Sequence, residues 1–155
     1  MLIFKALHIL SMFAMVTVFI GGEFLYSRAV WRRDVRGLAW VVRNLEKQIH
    51  LPFFGLGFLA AGIVFGLLTA LTGGFDFFEG WLIAAYVLVA LFLVSSIVIG
   101  IPLGRLGDKA VEAKAGQRPV EDVVREMAAS SAVFFFPVNA AIFAAIILDM
   151  VLKPF

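Results

Sequence analysis

The sequence predicts an all-α membrane protein: a transmembrane four-helix bundle with a basic amphipathic helix between spans one and two. Three observations predict it. Hydrophobic residues make up 63% of the 155 positions and charged residues 15%, against about 45–50% and about 25% in an ordinary soluble domain. The excess falls into four long blocks, near residues 2–26, 52–71, 81–103 and 128–152, each close to the ~20 residues that cross a bilayer as a helix. Basic residues concentrate in two of the connections. Four such helices with short loops use the whole length, so 1–155 reads as a single integral membrane domain without a separate soluble unit.

Block one runs through Lys5 to Tyr26, KALHILSMFAMVTVFIGGEFLY. A cleavable signal would have an apolar core of about 7–15 residues and a small-residue cleavage site. This run is longer and leads into Tyr26 and Arg28 without one, so a retained span is expected. Lys5, His8, Met12, Met15, Phe19 and Gly22 alternate steps of four and three and share one helix face. Ionisable groups at membrane depth are costly and usually face a protein interior, so this face is expected to be the seam of the bundle. Glu23 sits near the other end, with Arg28 and Arg105 as expected partners in a structural pair.

The segment Arg28 to His50 is basic, with an apolar stripe at Val35, Leu38, Val42, Leu45 and Ile49. It is expected to lie at the membrane surface with its arginines towards lipid headgroups. Trp31 and Trp40 suit the interfacial belt. Nucleic acid is not expected as a partner, because the segment is set between two membrane spans. Block two opens on Pro52, suited to a first helical turn, and carries Gly62-x-x-x-Gly66, a small-residue packing motif. Block three is expected to end near Pro102. Pro119 is expected to restart a helix that continues into block four, kinked at Pro137, with Asn139 satisfying the backbone groups freed there. Eleven of the 13 Lys and Arg residues lie in the two basic connections, leaving Lys5 and Lys153 at the other side. The positive-inside rule then places both basic connections in the cytoplasm and both termini outside, in a bacterial cytoplasmic (inner) membrane.

Composition narrows the chemistry. The absence of cysteine removes disulfides, iron–sulfur ligation and thiolate chemistry. His8 and His50 are the two histidines, too few for a multi-histidine metal centre within one chain. They sit at opposite ends of spans rising about 30 Å, so they cannot both ligate one heme. No Ser-His-Asp set, phosphate loop or metalloprotease motif is present. What remains is the outer end of spans one and four, with Lys5, His8, Asp149 and Met150. One reading is a Lys5–Asp149 ion pair with His8 hydrogen-bonded nearby. The other is a cofactor or metal site on His8, with Lys5, Asp149 and Met150 around it and the second imidazole nitrogen held by Ser11 or a group from span four.

At Lys5-Ala6-Leu7-His8, followed by Gly21-Gly22, the sequence resembles an uncharacterised four-helix family of bacterial integral membrane proteins. Its first helix is also similar to that of copper-resistance protein D and of the HemJ type of protoporphyrinogen oxidase. The HemJ resemblance implies heme b as a cofactor at His8. Three functions follow as expectations: a heme-associated, redox-linked membrane protein; a non-catalytic accessory subunit of a larger membrane complex or a homo-oligomer; and a copper transporter, for which Met12 and Met15 are the only supporting ligands.

Overall fold

The computed structural model describes residues 2–152, with the backbone alone at Ala132, Val133 and Phe135. The tail that carries Lys153 lies outside the described residues. Six α-helices follow one another: α1 (Leu2–Trp31), α2 (Val35–Val41), α3 (Leu51–Gly73), α4 (Gly80–Lys114), α5 (Val120–Ala129) and α6 (Phe135–Leu152), with a π-helical turn at Val42–Gln48 and a 3₁₀ turn at Ser131–Phe134. Helices α1, α3 and α4 are long and apolar enough to cross a membrane. Helix α6 is apolar and shorter, at 18 residues.

Local chemistry explains the boundaries. Helix α1 has 30 residues, a rise of about 45 Å, so it passes the expected end at Tyr26 and projects beyond the ~30 Å hydrocarbon core. It stops at a turn where Arg33 takes a φ of 54°. Asp34 then caps α2 by accepting a 2.8 Å hydrogen bond from the Gly37 amide. A Cβ at residue 37 would run into the Asp34 carboxylate, so the cap depends on glycine there. Left-handed Gly74 and Gly116 end α3 and α4.

Three expected boundaries are corrected. Pro102 lies inside α4 and does not end it. An interior proline costs about 3 kcal/mol, and the helix continues because Leu103, Leu106 and Ala110 beyond it are buried against α2 and its neighbours. Second, α5 does not run on into block four. Ser130 is extended, with ψ 134°, and the chain restarts through the 3₁₀ turn. Pro137 therefore falls in the first turn of α6, where its missing N–H would have had no helical partner. Third, the basic segment is not one continuous helix. The stripe residues Val35, Leu38 and Val42 are buried against α1, α4 and α5, and Leu45 packs beside them. Gly107 of α4 meets Val42 so closely that a Cβ there would overlap its methyl group.

Contacts along α1 and α3 give an antiparallel register. His8 meets Gly66, Met12 meets Gly62, Phe19 meets Gly55 and Leu51 approaches Gly22. Helix α6 is antiparallel to both α1 and α4: Asn139 reaches Glu23 and Ser95, while the Phe136 amide reaches Ser27. Helices α1 and α4 therefore run parallel, touching through the Phe19 and Phe92 rings, 5.6 Å apart and nearly perpendicular. Two apolar cores result. One, around Met15, Leu59, Phe92, Phe143 and Ile146, lies between the long helices. The other, around Val30, Leu38, Val42, Leu106 and Val123, knits the basic end together. Ion pairs Lys47–Asp108 (2.8 Å) and Lys109–Glu126 (2.5 Å) decorate that end. Asp108 holds the Lys47 ammonium above the usual lysine range by hydrogen bond and charge, but exposed pairs of this kind contribute little stability.

Candidate functional site

Two polar stations lie on α1, fifteen residues and about 22 Å apart along its axis.

The first is His8. Its Nδ1 lies 2.7 Å from the Gly62 carbonyl oxygen on α3. A carbonyl can only accept, so Nδ1 is the donor, and in the neutral imidazole Nε2 keeps its lone pair. The partner expected for this nitrogen was Ser11 or a group on span four; the structure supplies α3 instead. The glycine motif explains the seat. A Cβ at Gly66 would stand 2.9 Å from His8 Nδ1 and 3.0 Å from Cε1, and one at Gly62 would stand 2.6 Å from the Met12 sulfur. Gly62 and Gly66 thus admit the side chains of α1 onto the backbone of α3.

The other residues expected around His8 are not joined to it. Lys5 is exposed. Asp149 is half-buried, with Oδ2 shielded and without a hydrogen-bond partner among the described residues. Met150 packs against the core around Phe92. Among the described residues no ion pair or hydrogen bond links Lys5, His8 and Asp149. Nor do three or more His, Cys, Asp or Glu side chains gather as a metal site.

The second station is Glu23, 4% exposed, and Asn139, fully buried. The Asn139 amide group donates to Glu23 Oε1 at 2.7 Å and approaches Ser96 Oγ at 3.4 Å, and its carbonyl accepts from the Ser95 hydroxyl. One amide thereby ties α6 to α1 and α4. The expected Arg28 or Arg105 partner is replaced by this uncharged one, because the seam turns Glu23 inward while Arg28 and Arg105 stay exposed. Glu23 Oε2 has no hydrogen-bond partner among the described residues. Beside it a cavity of about 230 Å³ opens between α1, α4 and the start of α3, and Tyr26, Glu46 and Ser96 also line it. The Tyr26 hydroxyl donates to Glu46. Glu46 belongs to the π-helical turn, a geometry that recurs at functional sites.

His50, at the opposite end of α3 from Gly66, is exposed with a φ of 54° and serves as the turn residue before the helix. No match was found among curated proteins or among solved structures. A family model described as "Predicted integral membrane protein (DUF2269)" matches residues 2–154. With apolar helices of membrane-crossing length and a match over nearly its whole length, the chain belongs to this family of predicted integral membrane proteins.

Proposed function

We propose that the chain is a four-span protein of the bacterial inner membrane that binds heme b through His8 and works in electron transfer or a linked redox step. The observation that carries this reading is the His8 Nδ1–H···O=C bond to Gly62. Ligating imidazoles commonly donate their other ring nitrogen to a carbonyl or carboxylate, which fixes the tautomer and raises ligand basicity. A heme needs one or two axial side chains and no wider cluster of ligands, so the donor set fits. His8 would hold the iron through Nε2, and Gly62 would orient the ring. The bound group would supply one-electron chemistry.

The test is spectroscopic. The protein expressed with ample heme and purified in mild detergent is expected to show a Soret band at about one heme per chain, lost in His8→Ala. A wild type that stays colourless after heme loading overturns it.

Four spans are favoured by length as well as charge. Helix α6, with 18 residues, rises about 27 Å and falls in the ~17–25-residue range of spanning helices. Reporter fusions at Gly74 and Gly116 are expected to report outside and cytoplasm respectively; the same side for both would remove a span.

The accessory-subunit reading has one observation in its favour. Gly21 and Gly57 are exposed, with open space where a Cβ would stand, and such positions admit a partner helix closely. Large subunits co-purifying with a heme-free chain would select it.

A further inference from the structure

The cavity beside Glu23 takes no part in the His8 reading. Its volume, about 230 Å³, is that of roughly eight waters at ~30 Å³ each, and lies below the ~300–1,000 Å³ of drug-sized pockets. The part of an organic occupant held within the cavity is therefore small. The walls are largely apolar, with Phe19, Leu45, Leu51 and Leu103 among them, and no lysine, arginine or histidine lines them. Of the two carboxyl groups on the cavity, Glu46 already accepts the Tyr26 hydroxyl. Glu23 is the open one: it is 4% exposed, Oε1 is taken by Asn139, and Oε2 has no partner among the described residues. A buried acceptor without a donor calls for a water, an ion or a ligand.

The lining argues against a metal ion. A hard metal cation takes about six to eight oxygen ligands, or a tight octahedron, and no cluster of three acidic or histidine side chains exists among the described residues. An acceptor oxygen within an apolar wall suits a cation that brings its own N–H donors and a short hydrocarbon body. We propose that this cavity binds a small primary alkylammonium ion, with its N–H directed to Glu23 Oε2 and its alkyl chain against Phe19, Leu45 and Leu103. Pairing with the bound ammonium favours the ionised carboxyl group, which then supplies both the charge and the acceptor.

Equilibrium dialysis of the purified full chain against radiolabelled n-butylammonium tests this at constant ionic strength and about pH 9, still below the pKa of a primary amine. Saturable binding at one site per chain is expected, with a dissociation constant on the order of a millimolar or below. Glu23→Gln should weaken it about tenfold or more, because the charge is lost. Tetramethylammonium, which has no N–H, should compete poorly. Gly104→Leu is the second variant. Gly104 lines the cavity, and a Cβ there meets open space, so a leucine should fill the cavity and reduce binding with the melting temperature unchanged. Non-saturable uptake, or equal binding by wild type, Glu23→Gln and Gly104→Leu, would overturn the proposal. So would a tightly held lipid that neither variant releases.

Discussion

Asn139→Leu is expected to lower stability by about 2–3 kcal/mol. The amide joins Glu23, Ser95 and Ser96 from two other helices. A leucine of similar size keeps the volume but leaves Glu23 and the Ser96 hydroxyl without this partner, while the Ser95 hydroxyl keeps its bond to the Phe92 carbonyl. Each buried polar group left unpaired costs about 1–3 kcal/mol. Measured polar couplings inside membranes average only about 0.6 kcal/mol, because the unfolded state in a membrane also finds partners, so the lower part of the summed range is the expected one. The loss belongs to a pair and should not add. In Glu23→Leu/Asn139→Leu the buried carboxyl disappears with its donor, and the double variant should be more stable than Asn139→Leu alone. Unfolding in mixed detergent micelles measures the wild type, Glu23→Leu, Asn139→Leu and the double variant. Strictly additive losses would mean that the two side chains do not depend on each other.

Gly66→Leu should act at the other station. Its Cβ would stand 2.9 Å from His8 Nδ1, and a rigid imidazole between two helices has no shorter rotamer to adopt. The ring must leave the Gly62 carbonyl. The expected result is heme occupancy as low as in His8→Ala, together with an overpacking loss of about 1–3 kcal/mol. Gly57→Leu is the control on the same helix. A Cβ there meets open space, so both occupancy and stability should be kept. Heme per chain is read from the pyridine hemochrome. Full occupancy in Gly66→Leu would show that the glycine seat does not hold the ligand.

The seam of α1 was legible in the sequence because helical periodicity alone defines it. His8, Met12, Phe19 and Gly22 do face α3, and Met15 is buried. Steps of four and three taken from Phe19 also reach Glu23, Tyr26 and Val30, all of them buried, so the inward aim of Glu23 could have been read from the spacing. Its partner could not. Matching a glutamate on α1 to an asparagine on α6 requires the register of two helices separated by more than a hundred residues. Asn139 was also expected to serve a kink at Pro137, and the break at Ser130 removes that kink by moving the proline into a first turn.

The basic segment shows a second kind of shortfall. Its stripe of Val35, Leu38 and Val42 is apolar and buried as the spacing predicts, but an apolar stripe does not specify lipid or protein as the surface that covers it. The answer depends on α4 running past Pro102 to Lys114, which extends a protein wall beyond the expected end of the span. The Gly62-x-x-x-Gly66 motif was legible as a close-packing site. That its occupant includes an imidazole follows only from the α1–α3 register.

The proposed ligand role of His8 rests on which imidazole nitrogen is free. Nitrogen NMR of the heme-free protein labelled at histidine measures this directly, and with His8 and His50 as the only histidines, a His50→Asn variant assigns the signals. The account predicts that His8 is neutral, protonated at Nδ1 with a hydrogen-bond coupling to the Gly62 carbonyl, and unprotonated at Nε2. A His8 protonated at Nε2 would contradict it, because the nitrogen meant for the iron would then carry the proton.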